Sequence, residues 1–408
     1  MQTRRRVFKI AMLSHEPFFP PSGGGSTEAI YLAREFEARG HILDVFCPEI
    51  PDRHRIESEF NIRIVPFKKW QMSRTARLRN LKYVVYPFFL SNQVLQEFTA
   101  KRYDVILSMH TISAIAAGIV RRKIGVVTIM NFLDLLFGFT EVWKPKYLYK
   151  LIAPGLVKFE LNIPVRAGAE YVFTVSDVLK EKFVQAGFSS ERISSIYFGF
   201  DSELFKPLGF ATRPGQERPV IVMHGSFDEH HLGSIAFECI TTLAKRDPQF
   251  TFRFIGPCTK ALQRLLLKTR ATVPNIQIET TGFVPYQKVA EILKDATVGI
   301  VPYEESSGAH CAFVAKIVEY AGMALPVAST PLAGIKRWFN NCPTVKFADS
   351  FNGKALADCV LELLRMPRDK VIQESMSLAI RVKEKLDWRV ISRNAVDLVE
   401  NCVAKLKL

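Results

Sequence analysis

Two short segments of this chain combine residue types that can grip an anion. The first is PPSGGGST at 20–27, which carries Gly23, Gly24 and Gly25. Glycines there let backbone N–H groups come close to a phosphate or sugar, and the start of a following helix adds partial positive charge. The segment matches neither the P-loop nor the GxGxxG pattern, so the plain alternative is a flexible turn. The second is YEESSGAHCAFVAKIVEYAGMALP at 303–326. A small polar loop with Gly308, Ala309 and His310 leads into a helix carrying Lys316 and Glu319, three apart and so on one face. Backbone amides and Lys316 suit phosphate, and the Glu319 carboxylate suits ribose hydroxyls. Together they suit a nucleoside diphosphate. The plain alternative is a surface ion pair, which is worth little.

Both segments need a scaffold that holds them at the ligand-binding end of a sheet. The first half of the chain alternates short apolar strands (7–14, 41–47, 61–66, 103–108, 125–130, 171–175, 193–197) with helical stretches (27–39, 113–120, one near 154–164, 176–187). Nearly continuous apolar strands between helices indicate a parallel sheet covered on both faces. KPLGFATRPGQERP at 206–219 reads as a linker. The pattern then restarts, with strands at 220–224, 251–255, 276–280, 298–302 and 326–329 and helices at 234–246, 259–270, 286–294, 313–322 and 353–364. The expected architecture is two Rossmann-like, doubly wound α/β domains facing a cleft. The first spans 1–207, joined by a terminal crossover helix at about 388–408, and the second spans 208–387. Such sheets bind ligands beyond the carboxyl ends of their strands.

Composition narrows the function classes. The 408 residues are 48% hydrophobic and carry seven scattered cysteines with no CxxC pair. That excludes a disulfide framework and a Cys-based zinc site, and fits a reducing cytoplasm. No uncharged stretch reads as a transmembrane helix, and the basic start is read as a first strand rather than a signal peptide. The net charge of +15 is uneven. No acid lies between Glu59 and Glu97, where Arg63, Lys68, Lys69, Arg74, Arg77, Arg79 and Lys82 mix with Trp70, Tyr83, Tyr86, Phe88 and Phe89. Segment 61–96 therefore suits a membrane face or a phosphorylated lipid, the alternative being a solvated basic face. No recognition motif for nucleic acid accompanies the charge.

Five stretches in order carry a family resemblance: the 23–25 glycines followed by LAREFEARGHILDVF, then FTVSDVLKEKFVQAGFSSERISSIYFGFDSELFKP, HGSFD at 224–228, TGFVPYQKVAEILKDATVGIVPY, and KIVEYAGMALPVAST. The chain resembles GT-B glycosyltransferases of the family 4 type (glycosyl transferases group 1) nearly end to end. The resemblance implies a hexosyltransferase that moves a sugar from a nucleotide-diphosphate donor with retained configuration, needs no metal or other cofactor, and works on a glycan or lipid-linked acceptor. Apart from the resemblance, the cysteine usage fits cytoplasmic work, and segment 61–96 with the apolar stretch 132–149 suggests a lipid-linked glycan or phospholipid reached peripherally from the inner face of a membrane, a soluble acceptor being the alternative. Carried over by residue, Glu319 would hold ribose hydroxyls. Gly24 and Gly25 would lie near the donor phosphates and sugar. Gly225 with Ser226, Gly256, and Phe283 with Val284 would line the donor. Asn131 and Asp134 fall on the acceptor side. His110 matches a family histidine and is read either as an acceptor-side residue or as a core or capping one. Lys316, Glu319 and His110 are the catalytic candidates.

Two departures stand out. The first Glu of the family's Glu-x7-Glu pattern falls at Cys311, and the cationic pair expected after the 220–224 strand is missing from Gly225-Ser226-Phe227-Asp228-Glu229-His230. Lys316 is the expected replacement. These departures favour one rival reading, a catalytically silent GT-B protein that binds a nucleotide sugar or a partner. A nucleotide-sugar epimerase of the same architecture would need acid/base pairs that the sequence does not display.

Overall fold

The computed structural model describes residues 6–21, 24–67, 82–143, 146–207 and 218–406. Gly23 and the 68–81 part of the basic run lie outside the described residues, as does most of the expected linker. Packing divides the chain into two units. The first comprises Met1–Leu136, Gly155–Tyr197 and Trp388–Leu408, and the second Phe137–Pro154 and Phe198–Asp387.

The first unit is built on seven parallel strands: β1 (Lys9–Ser14), β2 (Ile42–Pro48), β3 (Arg63–Phe67), β4 (Val105–Met109), β5 (Val127–Phe132), β6 (Tyr171–Thr174) and β7 (Ile193–Ser195). Their order is β3-β2-β1-β4-β5-β6-β7, and Leu13 of β1 lies between Phe46 and Ser108. All five β4 residues are buried, because helices cover both faces of the sheet. The order reverses between β1 and β4, so the ligand crevice of this unit opens at Ser14 and Met109. Helix Trp388–Leu406 packs here. Arg39 donates to Asp397 at 2.6 Å and to Glu400 at 2.9 Å, and Trp388 stacks on Tyr31 at 5.9 Å between ring centroids.

The second unit has six parallel strands: β8 (Val220–His224), β9 (Thr251–Ile255), β10 (Gln277–Thr280), β11 (Val298–Val301), β12 (Val327–Ser329) and β13 (Val345–Phe347). Their order is β10-β9-β8-β11-β12-β13, with the reversal between β8 and β11. One layer of its core joins Phe252, Phe254, Ile240, Leu243, Leu262, Leu356 and Val360. The unit begins ten residues before the expected 207/208 division. The Phe200 amide donates to Leu386 O at 3.0 Å and the Ser202 amide to Asp387 at 3.2 Å, so this stretch is tied to the end of helix Arg368–Leu386. Among the described residues no helix is long and apolar enough to cross a membrane.

Candidate active site

In the second unit the chemistry gathers where the sheet order reverses. His224 ends β8, and Gly225 follows with φ +106, a left-handed geometry that glycine adopts freely. A Cβ on Gly225 would stand 2.7 Å from Lys316 Cε and 3.2 Å from its Nζ. The Lys316 side chain is therefore laid across bare backbone at the mouth of β8. It leaves from the first turn of helix Ala315–Gly322, shorter than the 313–322 helix expected because a separate turn, Ser307–Cys311, precedes it. Gly256, at the end of β9, has φ +153, and a Cβ there would fall 2.1 Å from Gly225 O, so the two loops meet backbone to backbone. Ser226 is exposed, Val284 half-buried, and Phe283 75% exposed. The Phe283 ring thus stands in solvent beside the Gly256–Gly282 bridge.

Glu319 is buried and its carboxylate is held on both oxygens. Oε2 lies 2.6 Å from His224 Nε2, and Oε1 accepts from the Tyr286 hydroxyl at 2.8 Å. The Tyr320 hydroxyl accepts from the His224 amide at 3.1 Å. This brace was not read from the sequence. The signal for it was a lone histidine closing the apolar run VIVMH. With Nε2 committed to the carboxylate, His224 Nδ1 is buried and has no partner among the described residues.

The 306–311 loop differs from expectation. Glu141 accepts from the Ser307 amide at 2.9 Å and also from its hydroxyl, and the Ala309 amide donates to Ser306 Oγ at 3.1 Å. A Cβ on Gly308 would lie 2.7 Å from both the ring and the backbone nitrogen of Phe139. Two amides of the loop expected to meet phosphate are thus satisfied inside the protein, and Gly308 serves close packing. His310 turns aside, edge-on to Phe351 at 5.1 Å and 3.7 Å from Glu305. Cys311, at the position of the missing first Glu, is buried.

After β8 the loop brings two histidines to the same place. His231 Nε2 lies 2.9 Å from the Tyr303 hydroxyl, and the His230 ring packs 4.9 Å from Phe139. Burial lowers the pKa of both imidazoles, and Lys316 pushes the same way. Asp228, His230 and His231 offer ligand atoms within 4.8 Å of one another. At the His230 ring the Asp228 carboxylate and the Lys316 ammonium act in opposite directions.

In the first unit, Gly24 opens helix Gly24–Ala38 and Gly25 lies under His110. A Cβ on Gly25 would sit 2.2 Å from His110 Nε2. His110 follows β4 with φ +68, in the left-handed region, and starts a helix (His110–Ile124) that the sequence pattern placed at 113–120. Burial pushes its pKa down, with Glu16 opposing. His110 Nε2 has no hydrogen-bond partner among the described residues. The imidazole is half-buried against Gly25 at the switch point, with Nε2 3.8 Å from Glu16 Oε2. Asn131 lies in β5 opposite Met109 of β4, and its Nδ2 donates to Glu28 Oε1 at 2.6 Å. Burial raises the Glu28 pKa to about 8, with the Asn131 hydrogen bond opposing. Glu28 was missed because it falls on the buried face of an ordinary amphipathic helix. Asp134 is half-buried beyond β5.

Comparison with known proteins agrees with this architecture. The description "Glycosyltransferase Family 4" matches residues 22–204, and "Glycosyl transferases group 1" matches residues 218–366. No curated protein sequence matches the chain. Among solved structures, sucrose-phosphate synthase from Thermosynechococcus elongatus superposes with TM-score 0.80 at 16% identity, covering 98% of this chain and 100% of that one. Anabaena HepE, in complex with UDP and glucose, gives 0.72 at 16% identity, covering 96% and 99%. WaaG, a glycosyltransferase involved in lipopolysaccharide biosynthesis, gives 0.63 at 13% identity, covering 95% and 99%. At such identities the structural likeness speaks for the fold, and the two sequence matches speak for the family. On matches that run from residue 22 to residue 366, the chain belongs to the GT-B glycosyltransferases of the family 4, group 1 type.

Proposed function

We propose that this glycosyltransferase moves a hexosyl group, with retained configuration, from a nucleotide-diphosphate sugar held by the second unit to a glycan or lipid-linked acceptor bound by the first. The observation that carries the reading is Lys316 laid across Gly225 at the switch point of the second sheet, beside a Glu319 held rigid by His224 and Tyr286. The diphosphate would rest over Gly225 against the Lys316 ammonium. Charge that develops on the leaving phosphate as the glycosidic bond breaks is then met by a group already in place. Each Glu319 oxygen has a lone pair left for a ribose hydroxyl while its geometry stays fixed. No carboxylate is assigned as a nucleophile. In a front-face route the leaving phosphate takes the acceptor's proton, and in this reading Lys316 supplies the positive charge without a metal ion.

The acceptor side rests on His110, Asn131 and Asp134. A lipid-linked acceptor is supported by helix Lys82–Ala100, where Val84, Phe88 and Phe89 are 61%, 63% and 56% exposed and fall in the acid-free run 60–96. Exposed apolar residues in a basic setting suit peripheral contact with the cytoplasmic face of a membrane. That WaaG is involved in lipopolysaccharide biosynthesis also supports such an acceptor.

Thermal unfolding with UDP-, GDP-, ADP- and TDP-sugars tests the donor half. UDP-glucose comes first, since HepE was solved with UDP and glucose. At a hundredfold excess over Kd the correct donor stabilises by about 2.7 kcal/mol, a rise of roughly 5–10 °C for a unit near 200 residues. Lys316→Ala should abolish the rise while leaving the melting point without donor within a degree or two. If the variant keeps wild-type donor affinity, Lys316 is not the phosphate ligand.

A further inference from the structure

The loop from Gly225 to Gly233 holds neither lysine nor arginine, yet it leaves the place where the donor diphosphate is read to bind. It carries adjacent histidines instead, and the two differ. His231 is buried with both ring nitrogens engaged: Nε2 with the Tyr303 hydroxyl at 2.9 Å, and Nδ1 accepting from the Asp228 amide at 3.4 Å. An imidazole that accepts at one nitrogen and donates at the other is neutral, and His231 is a brace. His230 is half-buried, and among the described residues no group hydrogen-bonds its ring nitrogens. The ring is nonetheless held, with centroids 3.8 Å from His231, 4.9 Å from Phe139 and 5.7 Å from Tyr303. Lys316 faces the same Tyr303 ring, its Nζ 5.7 Å from the centroid. The ring is thus clamped with open nitrogens, beside the only cation laid across Gly225 among the described residues.

The geometry points to His230 as a second cationic ligand of the donor diphosphate, one that takes a proton from solvent as the donor binds. This rests on the donor-site reading above. The charged groups around the ring set the sign. Asp228, on the same loop, favours the imidazolium, and Lys316, from helix Ala315–Gly322, opposes it. The remaining acids of the packed elements are turned elsewhere. Glu229 pairs with Arg264, Glu304 accepts from Ser234 and from the Ile235 amide, and Glu141 accepts from Ser307. Without a ligand, burial together with Lys316 outweighs Asp228 and brings the imidazole down to about 4, so the ring is neutral near pH 7. A diphosphate set against Lys316 reverses the local field, and a phosphate oxygen accepting from the ring favours its charged form. The missing cationic pair is then supplied as one permanent charge, Lys316, and one conditional charge, His230.

Calorimetric titration of the full chain with UDP-glucose, GDP-mannose, ADP-glucose and TDP-glucose tests this, since none of these donors titrates between pH 6 and 8. Each titration is run in two buffers of different ionisation enthalpy. For the donor that binds, wild type should take up about one proton per donor near pH 6.5, and affinity should fall up to roughly tenfold per pH unit above that. His230→Gln should bind roughly ten- to hundredfold more weakly at pH 6 and take up no proton. His230→Lys should restore affinity, again without uptake, which separates lost charge from lost packing. Wild-type binding without proton uptake, or His230→Gln with wild-type affinity, overturns the inference and leaves the donor site standing. Failure of wild type to bind any of the four overturns the donor-site reading and the inference with it.

Discussion

Gly225→Ala perturbs the site at its narrowest point, and its effects can be worked out separately for stability and for binding. The backbone there has φ +106, outside the range that alanine adopts without strain. Such a residue costs about 1–3 kcal/mol. The new Cβ would also stand 2.7 Å from Lys316 Cε. That contact is with the far end of a flexible side chain, so Lys316 swings away rather than the backbone breaking. The stability loss should therefore stay near ~1–2 kcal/mol, a fall of roughly 3–6 °C for a unit near 200 residues. The binding loss should be larger in proportion, because the ammonium leaves the phosphate position: ~1.5–3 kcal/mol, or roughly ten- to hundredfold in donor affinity. Thermal unfolding gives the first quantity and calorimetric titration the second. Lys316→Ala alone should lower donor affinity without the backbone penalty. In the double variant the second substitution should cost almost no further affinity, which is the coupling expected of residues in contact. If Gly225→Ala binds donor as tightly as wild type, or if the two losses add in full, Gly225 is not there to seat Lys316.

Two further outcomes follow from the first unit. Glu28 has its pKa raised by burial to about 8. The folded state therefore keeps a proton that the unfolded chain releases near the ordinary carboxyl value, and stability should fall as pH rises from about 4.5 to about 8. Glu28→Gln, which keeps the shape and the contact with Asn131, should flatten that dependence and raise the stability at pH 8 by an amount of the order of a few kcal/mol. Unfolding curves from pH 5 to 8.5 decide it, and an unchanged slope in the variant would mean that Glu28 is ionised in the fold. Arg39 bonds Glu35, Asp397 and Glu400 with its side chain only 5% exposed. Arg39→Ala should loosen helix Trp388–Leu406 at a cost of ~1–3 kcal/mol, read as faster amide exchange in that helix. Unchanged protection would show that the helix is held without Arg39, by its buried apolar face and the His41–Glu400 contact.

Much of the scaffold was legible because it depends on local pattern. VIVMH, TFRFI and VGIV are apolar runs long enough to be fully covered strands, and two sets of them separated by a Pro- and Gly-rich stretch announce two sheets. VKF at β13 has three residues, too few for a periodicity, and it was missed. The start of helix His110–Ile124 was read late, because no local signal marks a histidine that takes a left-handed φ. The assignment of Phe137–Pro154 to the second unit was also out of reach, since it rests on contacts of Phe139 and Glu141 with residues more than 80 positions away.

The site was legible in its types more than in its geometry. Lys316 and Glu319 were singled out by helical spacing, and Gly225 through the family resemblance. That Glu319 is gripped by His224 and Tyr286 depends on three separate elements meeting, and no spacing rule joins residues 33 and 95 positions apart. The 306–311 loop read as a phosphate grip because small polar residues before a helix have that chemistry. The residue that satisfies its Ser307 amide, Glu141, lies 166 positions away.

The account turns on where a donor diphosphate rests. A crystal structure of the full chain with the nucleotide sugar that stabilises it most should place phosphate oxygens about 3 Å from Lys316 Nζ, above Gly225, with the ribose against Glu319. A nucleotide bound with its phosphates out of reach of Lys316 would contradict it.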